Sequence, residues 1–344
     1  MLGIVDPLFL DSTAMSRFLL ATVLVAGGTS CTSPSPKRLS VPAQTIVATT
    51  TTSTAPPSTV SQNLASTAAG TSSLPALPAP PAPPGPPSPA KAVVSLSPTA
   101  TETLFALGAG ALVRAVDSGS TYPPSAPRSD LSAASIDVTK VMAMTPDLVV
   151  VASDIGDAPS ALAARGVRVL VQPPARSLNE AYAQIRQLGE ATGRSPESEN
   201  LVALMQSKIA AIIARTPQRA TPVRYYHERN GTFASLASTS FLGQIYALLG
   251  ARSIADGAPG DPYFPTLTSP FVIDANPDLI VLADAKCCHV TIDTVRARPE
   301  WQTINAVKNN AIALIDDDLA TTWGPRVVDL LQAISGRLLA LPAS

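Results

Sequence analysis

The chain has 344 residues, 14% of them charged, and a formal net charge of −1. That balance leaves no basic surplus for nucleic acid and no acidic tail. Thirty-four prolines and a low charge fraction point instead to an exported protein.

Residues 1–14 carry Asp6 and Asp11 and no basic residue, so they make a poor leader and read as an extension ahead of the working start. From Met15 a signal pattern follows over 15–30. Arg17 supplies positive charge, and Phe18 to Ala26 form an apolar run too short to span a bilayer core of ~30 Å. Small residues and then Cys31 complete the pattern of a bacterial lipoprotein signal, which makes Cys31 the expected lipidation site. Gly28 departs from it, standing where Leu or Val is usual. Residues 31–91 form a Pro/Ser/Thr/Ala-rich linker. From Thr32 to Ala90 its only charged residues are Lys37 and Arg38, and it has no helical or strand period. Its proline-rich end is expected to be extended, at ~3 Å per residue. Such Ser/Thr/Pro tracts invite O-glycosylation.

The remaining stretch divides into two similar lobes, 92–194 and 218–344, joined by a helix over 195–217. "VMAMTPDLVVVASD" (141–154) is echoed by "VIDANPDLIVLADA" (272–285). Each reads as a helix end, a Pro-Asp turn and an apolar run without alternation, as in a buried parallel strand. "AVVSLS" followed by "PTATETLFALGAG" opens the first lobe, with Ser97 as N-cap, Pro98 in the first turn and Gly108 as the stop. "VRYYHE" followed by "STSFLGQIYALLGA" opens the second, with Ser238 or Thr239 as cap and Gly250 as stop. In "SPESENLVALMQSKIAAIIARTP" Ser195 is the expected cap. Leu201, Leu204, Ile209, Ile212 and Ile213 form the apolar stripe, and Pro217 ends it. Alternating strands and helices predict an α/β fold with a parallel sheet in each lobe.

Taken together, "VVSLSPTATETLFALGAG", "YPP", "TPDLVVV", "FLGQIYALLGARSIAD", "NPDLIVLAD" and "DDDLATTWGPRVVDLL" resemble the substrate-binding proteins of ABC importers for iron-siderophores and cobalamin, the helical-backbone group. The resemblance covers about residues 92–338, and the segment from Asn276 to Leu331 is most similar to an actinobacterial branch that also carries paired cysteines. It implies two Rossmann-like lobes with parallel sheets joined by one long rigid helix, the class III periplasmic-binding-protein fold. It also implies a monomeric, non-enzymatic lipoprotein on the outer face of the cell membrane. That protein would capture a metal chelate (a ferric siderophore, with cobalamin or heme as alternatives) for a permease, with no cofactor and no resident metal. The alternative is a surface-anchored module of the same fold with a structural or protein-interaction role.

Ligands of parallel sheets meet the loops at the carboxyl ends of the strands. This places Ser97, Thr99, Tyr122 and Asp154 on one wall. The other takes Glu228, Tyr263, Phe264, Cys288, His289, Asp318, Trp323 and Arg326. Tyr263 and Phe264 are candidates for stacking on a flat ligand or for wedging their own loop. Trp323 either covers the ligand or packs the last helix, and Arg326 either pairs with an anion or caps a carbonyl. "IDDD" (315–318) offers a cation site but reads more readily as a helix N-terminus, where acids are favoured, and Asp318 aligns with a ligand-contact position of the family. Cobalamin-binding members line the first wall with large aromatics, whereas this chain has Gly119, Ala133 or Ala134, and Ala152 there, which suits a wider, more polar pocket. The usual docking glutamates for the permease align with Thr139 and Pro270, with Asp137 or Asp274 as substitutes.

Enzyme motifs are absent: there is no Gly-x-Ser-x-Gly elbow, phosphate loop or His-Glu-x-x-His. His227 and His289 are the only histidines, too thin a supply for acid–base chemistry or a metal-ion cleft. A nucleophilic Cys288 is a minor alternative. For Cys287-Cys288 three readings stand: a zinc site, two free thiols, or a vicinal disulfide stiffening the loop after "DLIVLAD". An oxidising compartment favours the last.

Overall fold

In the computed structural model residues 88–153 and 156–342 are described. The first lobe runs β1 (Val93–Leu96), α1 (Pro98–Ala106), β2 (Val113–Val116), α2 (Val138–Ala143) and β3 (Leu148–Val151), then α3 (Ala158–Ala163), β4 (Arg168–Val171) and α4 (Leu178–Thr192). A single helix, α5 (Ser195–Arg215), connects it to the second. That lobe runs β5 (Val223–Glu228), α6 (Phe241–Leu248), β6 (Ala251–Ser253), α7 (Ser269–Ala275) and β7 (Leu279–Leu282). Four short elements follow, α8 (Ala285–Cys288), α9 (Ile292–Arg296), α10 (Asn305–Lys308) and β8 (Ile312–Leu314). The lobe ends with α11 (Asp317–Ala320) and α12 (Val327–Leu339).

The two sheets have the same order, β2-β1-β3-β4 and β6-β5-β7-β8, and every pairing is parallel. The repeated Pro-Asp-Leu turn does the same work in both. Thr145 and Asn276 take left-handed backbone, at φ 48° and 46°, and reverse the chain out of α2 and α7. Asp147 then accepts from the Lys91 and Ala92 amides at 2.8 and 3.0 Å, and Asp278 accepts from the Arg224 amide at 3.0 Å. Each aspartate thus fixes the entry of the neighbouring central strand. The strand that follows is buried on both faces, which is why its run is apolar without alternation.

Capping places the helices behind these strands. Ser97 Oγ accepts from the Ala100 amide at 3.3 Å and starts α1 as its sequence indicates. In the second lobe Ser240 starts α6, accepting from Gly243 N at 3.0 Å, and not Ser238 or Thr239. The reason is competition: Ser238 Oγ donates to Asp256 and Thr239 Oγ1 donates to the Pro262 carbonyl. Ser195 is likewise the first residue of α5, and Arg194 holds the cap position without a side-chain bond.

Gly193, at φ 69°, ends α4 in the left-handed conformation and lets α5 fold straight back along it. The two helices touch at Gly189, where a Cβ would lie 2.4 Å from Ser198 Oγ. The buried face of α5 is Val202, Met205, Ile209 and Ile212, a shift from the stripe expected from sequence, and Leu204 is left 51% exposed. The helix carries apolar residues on two adjoining faces, and packing against α4 and α12 selects one. Alternate strand residues of the first sheet feed two cores. Val94, Leu96, Val149 and Val151 pack against Leu131, Val141 and Leu162. Val93, Leu148 and Val150 belong to a larger cluster that runs through the α5 face into Tyr225, Tyr246 and Trp301 of the second lobe. One apolar core therefore serves both lobes.

Candidate functional site

The carboxyl ends of both sheets carry side chains that meet across the lobes. Arg326, just ahead of α12, donates from Nε to Glu102 Oε2 of α1 at 2.6 Å, and its amide donates to Oε1 at 2.8 Å. Thr121 Oγ1 donates to Asp318 Oδ2 at 2.7 Å. Trp323 Nε1 donates to Gln184 Oε1 of α4 at 2.6 Å, and its amide reaches Thr99 Oγ1 at 3.4 Å. On another side of the rim Gln244 donates to the Arg176 carbonyl at 2.7 Å.

Several residues expected to meet a ligand are thus committed elsewhere. Ser97 is buried and caps α1. Glu228 is fully buried, held by both terminal nitrogens of Arg298 at 2.5 and 2.6 Å, because the end of β5 packs under the loop after α9. Arg326 is paired with Glu102, and its guanidinium carbon lies 4.1 Å from the Tyr122 ring centroid. Asp154 and Cys31 lie outside the described residues, as do the signal segment and most of the linker. Tyr122, Tyr263 and Phe264 are exposed at the rim. The amides of Tyr263 and Phe264 both donate to Asp261 Oδ1, which shapes their loop, and Arg229 sits 4.3 Å over the Phe264 ring. Glu102, Gln184 and Arg298 carried no sequence signal, since the contact that gives each its place at the rim comes from a partner at least 70 positions away.

Beneath the second rim lies a buried polar group. Asp284 is fully buried with neither oxygen hydrogen-bonded among the described residues, and the Tyr226 hydroxyl is likewise unpaired. Burial, and then the Glu228 carboxylate, push Asp284 up to about 7. His227, one residue before Glu228, is pushed down to about 3 by burial, and its Nδ1 shares a hydrogen with Tyr246 Oη at 2.9 Å. Above this group stands α8, whose cap is unusual. Its N-cap residue Asp284 makes no side-chain bond to it. Asp317 Oδ2 accepts instead from the Lys286 and Cys287 amides, at 3.0 Å each. Lys286 Nζ bridges Asp316 and Asp318 at 2.7 and 3.0 Å. Asp316 in turn caps α11, so "IDDD" is a helix N-terminus. Cys287 and Cys288 are joined as a disulfide with Cα atoms 3.8 Å apart, and His289 closes the turn at φ 55°. Lys286 through His289 are exposed.

A family model described as "Periplasmic binding protein" matches residues 93–319. The chain belongs to the periplasmic binding protein family. Members of this family bind substrates and are not catalysts, and the α/β fold with two four-stranded parallel sheets is the class III periplasmic-binding-protein architecture. Among curated relatives, the uncharacterized ABC transporter substrate-binding lipoprotein YvrC of Bacillus subtilis is 28% identical over 71% of this chain and 79% of its own. The vitamin B12-binding protein of Pectobacterium carotovorum is 26% identical over 72% of this chain and 88% of its own. Among solved structures, the heme-binding protein HutB of Vibrio cholerae superposes with a TM-score of 0.64 at 21% identity, covering 73% of this chain and 98% of that one. This last likeness concerns the fold. In this periplasmic binding protein a cavity of about 360 Å³ also opens at the opposite end of the second sheet, lined by Thr216, Arg219, Gly250 and Leu338. It lies away from every rim residue named above.

Proposed function

We propose that this chain is the lipid-anchored, extracytoplasmic receptor of an ABC importer. Its cargo is a metal chelate, a ferric siderophore first, with heme and cobalamin as members of the same class. The observation that carries the reading is the rim itself: exposed Tyr122 of one lobe and Tyr263 and Phe264 of the other stand at the carboxyl ends of two parallel sheets. Aromatic faces grip flat or bulky chelates by stacking. Relatives named for vitamin B12 and for heme support the ligand class. Cys288 and His289 complete the second wall. Asp318, Trp323 and Thr99 contribute by holding the walls together until cargo displaces those contacts.

The test is purification from the native host, followed by absorption spectroscopy and mass spectrometry of whatever co-purifies. The expected result is an iron-chelate absorption band with a matching siderophore mass. The reading fails if nothing co-purifies and ferric siderophores, hemin and cyanocobalamin all leave the tryptophan fluorescence unchanged.

A second reading, a surface module without a transport partner, draws on one observation. The cross-lobe pairs Glu102–Arg326 and Thr121–Asp318 occupy groups that a receptor would leave free. The surface positions Thr139 and Pro270, where the resemblance calls for glutamates, are consistent with it. Asp137 is engaged in capping α2, and Asp274 is exposed on α7. Pull-down of a permease by the lipidated protein separates the two.

A further inference from the structure

We propose that Cys287–Cys288 is a reversible thiol–disulfide site whose redox state sets the contact between the two lobes. Three placements carry this. First, both cysteines are exposed, so a soluble thiol can reach the bond, whereas a disulfide that only braces a core is shielded. Second, the bonded pair ends a turn of four residues whose second and third amides, Lys286 and Cys287, are held by one carboxylate, Asp317. The turn has no cap of its own. Third, the same short stretch reaches the other lobe. Lys286 Nζ binds Asp318 Oδ2, and that oxygen also accepts the Thr121 hydroxyl of the first lobe. One carboxylate oxygen therefore joins the disulfide turn to the opposite wall.

The chemistry is a two-electron exchange. A dithiol reductant attacks one sulfur of the pair, the Cys287–Cys288 bond breaks, and the reductant closes to a cyclic disulfide. Its two protons end on the Cys287 and Cys288 thiols. Opening the ring returns backbone freedom to Lys286–His289, because the eight-membered ring no longer fixes the turn. The Lys286 bridge and the Asp318–Thr121 bond loosen with it. Trp323, a few residues beyond Asp318 and bonded to Gln184 of the first lobe, then becomes more accessible.

Trp301 is fully buried, so acrylamide quenching of the full-length protein reads Trp323. Dithiothreitol should raise the titratable thiols by the two of this pair and increase the quenching constant, and both changes should reverse when it is removed and oxidised glutathione is added in excess. The double variant C287S/C288S should quench like reduced wild type and ignore dithiothreitol. Two outcomes overturn the inference: no thiols are released without denaturant, or they are released with quenching unchanged. Because reduction and re-oxidation act on the wild-type protein, the result stands even if the double variant fails to fold. No ligand is needed, so the outcome is separate from the identity of the cargo.

Discussion

Arg326 and Glu102 lie 224 positions apart and form an ion pair in which the carboxylate is buried and the guanidinium mostly covered, with side chains 2% and 16% exposed. Burial pushes the Glu102 carboxyl up, and the bonds from Arg326 offset part of that push. A charge left alone at such a site is far costlier than the pair is valuable. Glu102→Gln should therefore destabilise the protein by about 3 kcal/mol. Replacing both residues, as E102Q/R326M, should cost less than the two single changes together, and urea unfolding of the four proteins in a double-mutant cycle measures the difference.

Two buried groups pull the acid stability in opposite directions. His227 titrates near 3 in the folded chain against an ordinary 6.5. Its contribution is fully present above 6.5 and is lost as pH falls toward 3, by up to ~1.4 kcal/mol per pH unit. Asp284 titrates near 7 against an ordinary 3.8, so its contribution is present below 3.8 and lost as pH rises through 7. Between about 4 and 6.5 the slopes oppose. Unfolding free energies at pH 4.5 and 6.5 should differ little for wild type. They should rise with pH in Asp284→Asn and fall with pH in His227→Asn. Matching slopes in the two variants would contradict these assignments.

At the contact of α4 with α5, Gly189 faces Ser198 with no room for a side chain. Gly189→Val should cost at least ~1–3 kcal/mol through overpacking. A thermal melt of this variant showing no loss would mean that the helices separate more easily than their shared core suggests. Ser198→Gly in the same chain should recover part of the stability.

At the rim, Phe264→Ala and Tyr122→Ala should each weaken chelate binding by about 1 kcal/mol, roughly fivefold in Kd, with little change in melting temperature, since both rings are exposed. Fluorescence titration with a ferric siderophore or hemin provides the comparison.

What the sequence could disclose follows from distance along the chain. The Pro-Asp-Leu turns, the Ser97 cap and the apolar strands act within a few residues, and each stands where local chemistry puts it. Ser240 was harder, because three hydroxyls in a row compete and the winner is decided by Asp256 and Pro262. The α5 stripe was ambiguous because its partners α4 and α12 are what choose the face. The site residues were the least legible. Glu228 looks like any acid at a strand end until Arg298 is found beside it, and Arg326 looks free until α1 delivers Glu102. A side chain's type can be read locally, but its availability depends on what the fold brings to it.

The shared core also sets a clock. Swinging the lobes wide apart would bare apolar surface from both, at ~25 cal/mol for each Å² uncovered. On the proposed reading, cargo then passes between the lobes by small, local give at the rim, with α5 as the unbroken helical link between them. A receptor so built is expected to release its guest slowly when left to itself, which a stopped-flow dissociation measurement would show. Emptying it would then fall to the proposed permease gripping both lobes, which makes residence time a property of that encounter and not of the receptor alone.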